Sequence, residues 1–335
     1  MAFLVNENMA ASAFLFLTFN PIDPIMTAKP NRRSFFQSAA ACCVGAALPG
    51  ALSSVASGSR PILRNGSPKF KFSLAAYSYR SLLKKKNAKD EKEAKLKLSD
   101  FIDDCAKMQL EGTELTSYYF PDPVTPEYLR ALKQQCFRLG LDVSGTAVGN
   151  DFGHPPGEER DRQIHALKKW IDHAEILGAP VIRVFAGHVK KDIAPEMAHK
   201  LMVSGLEECC DYAGRHGVHL ALENHGGPTS TATGLLGLVS DVQSPWFGVN
   251  LDTGNFHTED IYGDLAKVAA HAINVQVKVV VSGPNRVKQP ADFPRIAKIL
   301  RNVNYRGYIV LEYEESEDPR TTCPPYIEQL RKAFA

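Results

Sequence analysis

Four oxygen-bearing side chains stand at the ends of four successive apolar runs in the C-terminal half of the chain. Glu223 closes Leu220-Ala-Leu-Glu, Asp252 closes Val249-Asn-Leu-Asp, Gln276 follows Val275, and Glu312 closes Ile309-Val-Leu-Glu. A carboxylate at the end of a buried strand is costly to desolvate and needs a cation or a strong donor beside it. Taken singly, each reads equally well as a helix cap or a salt-bridge partner. At matching positions of four segments they suggest one shared cation. Three carboxylates and an amide oxygen form a hard-oxygen set, suited to Mn²⁺ or Mg²⁺ rather than to a thiolate-seeking ion.

The elements that must position these groups follow from the apolar pattern. Short β-type runs occupy Lys71–Tyr77, Gly112–Thr116, Leu141–Val148, Val181–Ala186, Val218–Asn224, Phe247–Asp252, Asn274–Val281 and Tyr308–Tyr313. Between them lie amphipathic stretches at Asp100–Met108, Pro126–Leu139, Arg160–Leu177, Pro195–His216, Thr233–Val242, Tyr262–Ala272 and Asp292–Val303, with Tyr326–Phe334 following the last strand. Apolar residues recur at helical spacing in them, as at Leu167, Trp170, Ile171, Ala174 and Leu177. Gly140, Gly178, Gly217 and Gly307 fall between a helix end and the next strand, where a left-handed residue is expected. This alternation predicts an α/β protein, an eight-stranded parallel (β/α)₈ TIM barrel, over residues 68–335. A doubly wound sheet is the rival, but the first strand ends in Ala76-Tyr-Ser-Tyr79, without a glycine fingerprint or phosphate loop. In such a barrel the strand C-termini form one rim, which brings the four groups to a common mouth. The Lys-rich run Lys84–Lys97 reads as a solvated loop or frayed helix start after the first strand.

Residues 1–60 read differently, as an export signal and spacer. Asn31-Arg-Arg-Ser-Phe-Phe-Gln37 precedes a small-residue apolar stretch, Ala39–Val55, and a Gly/Ser/Pro spacer. This order is that of a twin-arginine signal, with Met26 a plausible start. Ala39–Val55 is short of the roughly 20 apolar residues of a membrane span, so no stable membrane insertion is expected after processing. The expected location is the periplasm or cell envelope. Setting aside Cys42 and Cys43 leaves Cys105, Cys136, Cys209, Cys210 and Cys323, an odd number with no CxxC spacing, and these read as buried thiols. A net charge of +2 supplies no basic field for nucleic acid.

The stretch Leu220–Glu312 resembles the xylose isomerase-like barrel family of sugar isomerases, epimerases and inosose dehydratases. The matching pieces are Ala-Leu-Glu-Asn-His225, Asn-Leu-Asp-Thr-Gly-Asn255, Val-Gln-Val-Lys278 and Gly-Tyr-Ile-Val-Leu-Glu-Tyr313. The resemblance implies a divalent ion held by Glu223, Asp252, Gln276 and Glu312, with Gln276 standing where the family pattern usually has His. It also implies that Glu223 and Glu312 lie on opposite faces of a sugar, one removing a proton next to a carbonyl and the other returning one. Return to the same carbon is epimerisation, and return to its neighbour is aldose–ketose exchange. If the enediolate instead expels a β-oxygen, the same site is a lyase or dehydratase of a keto-sugar or keto-glycoside.

Lys278, on the strand face of Gln276, is a candidate oxyanion holder or a rim salt bridge. Further candidates for contact with the sugar are Glu114, His188, His225, Asn255 and His257. Tyr77, Tyr79, Tyr118 and Tyr119 offer aromatic surface to a sugar ring or to the core. Arg286 and Lys288 are candidates for a phosphate or belong to a solvated loop. A reading of another class is a non-catalytic sugar-binding barrel, which the fold alone permits. A small-molecule sugar is the expected partner, with homo-oligomerisation left open.

Overall fold

Eight parallel strands close on themselves, running round the ring from Lys69–Ala75 through Arg306–Leu311, Ala272–Val277, Phe247–Asp252, His219–Glu223, Val181–Val184 and Asp142–Ala147 to Gly112–Thr116. The computed structural model describes residues 61–83 and 95–335. The stretch expected to be an export signal and most of the Lys84–Lys97 run therefore lie outside the described residues. The barrel strands are β1 (Lys69–Ala75), β2 (Gly112–Thr116), β3 (Asp142–Ala147), β4 (Val181–Val184), β5 (His219–Glu223), β6 (Phe247–Asp252), β7 (Ala272–Val277) and β10 (Arg306–Leu311). Closure is made by β1 on β10, where Lys69 pairs with Arg306 and Leu74 with Leu311. Around this ring run α1 (Leu98–Lys107), α2 (Pro126–Arg138), α3 (Glu158–Leu177), α4 (Pro195–Arg215), α5 (Ala232–Asp241), α6 (Ile261–Val268), α7 (Phe293–Asn302) and α8 (Pro319–Phe334). The predicted TIM barrel is thus the observed architecture.

Local chemistry explains where the helices begin and end. Thr125, Thr231, Asp260, Asp292 and Asp318 each accept a backbone N–H of the first helical turn, contacts of about 1 kcal/mol apiece. Glu158, Glu159 and Asp161 place negative charge at the start of α3, where the helix dipole favours it. The face of α3 formed by Ile164, Leu167, Trp170, Ile171, Ala174 and Leu177 is buried. It ends at Gly178 with φ +82°. None of the helices of the described residues is long and apolar enough to cross a membrane.

Several boundaries depart from the sequence reading. Gly307 lies inside β10, and Asn304 (φ +50°) takes the left-handed position after α7 instead. Asparagine tolerates that region because its short polar side chain bonds locally. The expected strand Asn274–Val281 is interrupted after Val277. Val280–Ser282 (β8) folds back on Lys288–Pro290 (β9) as an antiparallel ribbon beside the barrel mouth. Helix α8 starts at Pro319, ahead of the expected Tyr326, and runs through Pro324 and Pro325. The five cysteines among the described residues are free and buried, as expected.

Candidate active site

Strand alternation fills the upper part of the barrel with polar side chains. Residues two apart on a strand share a face, so Asn250 and Asp252 on β6 point inward together, as do Asn274 and Gln276 on β7 and Lys278 just past its end. Arg183 comes from β4, Glu223 from the end of β5, Glu114 from β2, and Glu312 from just past β10. All are buried. The sequence-predicted set Glu223, Asp252, Gln276, Glu312, Glu114 and Lys278 is therefore brought to one place. Asn255 joins it by donating from Nδ2 to Glu223 Oε1 at 2.9 Å.

A closed ring of hydrogen bonds holds the amides. Asn274 Nδ2 donates to Glu114 Oε2 (3.0 Å) and to Asn250 Oδ1 (2.8 Å). Asn250 Nδ2 donates to Gln276 Oε1 (2.6 Å), and Gln276 Nε2 donates to Glu114 Oε1 (2.7 Å). An ionised carboxylate only accepts, so in that form Glu114 fixes the direction of every amide in the ring. Burial, reinforced by the nearby Glu312 charge, pushes the Glu114 carboxyl up to about 7.

The acids meet two protein cations. Lys278 Nζ lies 3.2 Å from Asp252 Oδ2 and 2.8 Å from Glu314 Oε1, and also contacts Glu312 Oε2. Arg183 Nε lies 2.8 Å from Glu223 Oε2, its Nη1 donates to Val148 O at 2.7 Å, and its guanidinium covers the Phe185 ring at 4.1 Å. Burial works to lower the Lys278 pKa, but Asp252, Glu312 and Glu314 around it outweigh that and raise it well above the usual lysine value. For Glu312 burial opposes ionisation, yet Lys278 and Arg183 more than offset it and hold the carboxyl below its usual range. Asp252 is raised well above the usual carboxylate range, first by burial. Glu223 is pushed up to about 7 by burial, against the pull of Arg183.

These residues do not fit a divalent ion held by the expected four ligands. The Gln276 oxygen is turned to Asn250, and its nitrogen faces Glu114 and, at 3.4 Å, Glu312. Reversing the amide would put its oxygen against a carboxylate. Lys278 stands where Asp252 and Glu312 converge, and Arg183 already neutralises Glu223. Among the described residues, no three His, Cys, Asp or Glu side chains are disposed to hold a metal ion.

The histidines lie further out. His257 Nδ1 is 2.9 Å from Ser282 O on the ribbon, and His225 packs on Phe185 with ring centroids 4.5 Å apart. His188 is turned to Asp151 Oδ2 (3.2 Å) with its side chain 81% exposed, away from the acids. The ring of Tyr79 is buried against Phe101, whereas Tyr77 and Tyr118 are half-buried and pack edge to face. A cavity of about 310 Å³ opens onto the site between Asn255, His257, Lys278, Arg286, Glu312 and Glu314. Lys288 at its edge pairs with Glu315 at 2.7 Å. A larger cavity of about 630 Å³ beside α1 and α8 has its two acids already paired, Asp104 with Arg320 at 2.8 Å and Glu328 with Arg331. Sequence reasoning missed Arg183, Asn250 and Asn274. The available signal was polar residues at alternate positions of apolar strands, on the face that Asp252 and Gln276 share.

The profile of the xylose isomerase-like TIM barrel family matches residues 102–333. Among curated proteins, L-ribulose-5-phosphate 3-epimerase UlaE of Escherichia coli is 26% identical over 202 residues, 56% of this chain and 71% of its own. Among solved structures, D-psicose 3-epimerase of Clostridium cellulolyticum, with D-tagatose, superposes with a TM-score of 0.63 at 14% identity, covering 79% of this chain and 99% of that one. The probable 3-DHS dehydratase AsbF of Bacillus anthracis does so with a TM-score of 0.61 at 17% identity, covering 78% and 98%. With the barrel, the rim acids and this match over most of its length, the chain belongs to the xylose isomerase-like TIM barrel family.

Proposed function

We propose that this chain is a sugar isomerase or epimerase acting next to the carbonyl of a small keto or aldo sugar. The observation that carries the reading is the pair of buried glutamates, Glu223 and Glu312, three strands apart around one rim, each with its own cation at contact distance. Sugar epimerases among the relatives support it. A carboxylate beside the carbon next to a carbonyl removes its proton, and the electron pair moves onto the carbonyl oxygen as an enediolate. The second carboxyl, protonated beforehand, returns a proton from the other side. The destination of that proton separates epimerisation from aldose–ketose exchange. Asn255 steadies Glu223 through its hydrogen bond, and the half-buried Tyr77 and Tyr118 offer the sugar an aromatic wall.

The test is a screen of free ketoses, aldoses and 3-keto-glycosides in deuterated water, followed by product analysis. Deuterium uptake at the carbon next to the carbonyl, with an epimer or isomer as product, is the expected result. Uptake accompanied by loss of a β-oxygen would assign the dehydratase or lyase reading. Binding of sugars without any exchange would assign the non-catalytic barrel. Export to the periplasm or cell envelope belongs to the same proposal, on the strength of Arg32-Arg33 and the stretch behind them. Fractionation of cells expressing the full chain, beside an Arg32→Lys/Arg33→Lys variant, tests it.

A further inference from the structure

We propose that Lys278 is the resident cation of this site, and that it replaces a divalent metal ion in meeting the charge that develops on the sugar oxygen. The chemistry rests on the enolising reading above, whereas the metal-binding part stands apart from it. Lys278 Nζ lies at the convergence of Asp252, Glu312 and Glu314, in ion-pair contact with each, at 3.2 Å from Asp252 Oδ2 and 2.8 Å from Glu314 Oε1. A hard divalent ion would draw these oxygens in to about 2.0–2.6 Å around a centre that the ammonium group already occupies. An ion placed among the same oxygens would lie against an ammonium group.

The chain is built around this side chain. Gly254, in Asp252-Thr-Gly-Asn255, faces the Lys278 stem so closely that a Cβ there would lie 2.6 Å from Lys278 Cγ and 2.9 Å from its Cβ. The Lys278 backbone N–H is fixed by Thr253 Oγ1 at 3.0 Å. The Glu114 ring meanwhile turns the Gln276 oxygen away from the acids, which removes the neutral ligand. Lys278 also lines the cavity, so one of its three protons can turn to a bound carbonyl oxygen. When one glutamate takes the carbon-bound proton, the electron pair moves into the new carbon–carbon double bond. The carbonyl electrons move to oxygen, where the ammonium hydrogen bond meets them. Delivery of the second glutamate's proton to carbon reverses this flow and restores the carbonyl.

Two readouts test the inference. The first is metal alone: full-length protein, dialysed against chelator, is titrated with Mn²⁺ while the resonance of the free aquo ion is followed, with Glu312→Gln titrated beside it. No saturable uptake is expected, and stoichiometric uptake that Glu312→Gln removes would overturn the proposal. The second is deuterium exchange into a responsive sugar. It should persist undiminished in chelator and fall by about 10²–10³-fold in Lys278→Met, the loss that follows removal of a preorganised oxyanion donor. Exchange that disappears in chelator and returns with Mn²⁺ would overturn it, as would full exchange in a folded Lys278→Met. Should Lys278→Met fail to fold, Gly254→Ala displaces the same stem with a single methyl and should also lower exchange. If no sugar exchanges under any condition, the enolising reading fails while the Mn²⁺ titration still decides the metal question.

Discussion

The Nε of Arg183 sits 2.8 Å from Glu223 Oε2, with both side chains almost wholly buried. A charge in such a place is tolerated only because its partner is there, and removing one leaves the other uncompensated. Arg183→Met should therefore destabilise the barrel by about 3–5 kcal/mol, the cost of breaking a buried pair. Urea denaturation of the variant beside the wild type measures this. A loss below about 1 kcal/mol, the range of an exposed ion pair, would mean that water reaches Glu223 and that the pair is not a buried one.

Glu223→Gln and Glu312→Gln keep shape and hydrogen-bonding atoms but remove proton transfer. Each should lower sugar deuterium exchange by about 10²–10⁴-fold, the range of a positioned acid or base. Each also leaves a buried cation, Arg183 or Lys278, without its partner and should lower the melting temperature, so exchange is compared at a temperature where both variants are folded. If the two carboxylates act on opposite faces, each variant retains wash-out of label from one epimer only. Equal residual wash-out from both epimers would place both glutamates on the same side.

Glu114 accepts from Asn274 and Gln276 at once. Glu114→Gln presents one acceptor and one donor, so one of those amides must face a second N–H group. The expected cost is about 1–3 kcal/mol, that of a buried group left unsatisfied. Glu114→Gln combined with Gln276→Glu exchanges acceptor for donor across that contact and should recover part of it. A double-variant cycle by chemical denaturation measures the recovery, and strict additivity would remove Glu114 from its assigned role.

Asp151 gives a pH prediction away from these acids. Burial raises its pKa, but hydrogen bonds from Lys190 and from the backbone of His188 and Gly153 outweigh that and bring it down to about 2. A depressed folded-state value contributes stability above the unfolded value of 3.8, and that contribution is lost as pH falls through about 2. The melting-temperature gap between wild type and Asp151→Asn should be full at neutral pH and narrow progressively below pH 4. A gap of constant size down to pH 2 would sink the assignment.

Much of the barrel was legible because parallel strands buried on both faces write themselves as apolar runs between amphipathic stretches. The rim acids were legible for a related reason: a carboxylate ending such a run stands out. Arg183 did not stand out, since a single charge inside Val-Ile-Arg-Val184 names no partner until β4 and β5 lie side by side. The β8–β9 ribbon was hidden because Val279, Val280 and Val281 prolong an apolar run straight through the point where the chain leaves the barrel. Pro324-Pro325 masked the start of α8. The choice between a metal and an ammonium at the rim was the least legible of all. It depends on the direction of the Gln276 amide, which is set by Glu114 from across the lumen.

That contact across the lumen also bears on how the chain reaches its final form. Glu114 lies 160 residues before Asn274 and 162 before Gln276. Contacts so distant in sequence form late, after most of the loop-closure entropy has been spent. An N-terminal half-barrel made alone would carry the Glu114 carboxylate without the Asn274 and Gln276 donors, and a C-terminal half would leave each of those amides one acceptor short. Neither half satisfies its own interior. A chain cut between β4 and β5 should therefore regain a native-like lumen only when both fragments are mixed, which makes the polar interior a checkpoint for completed assembly.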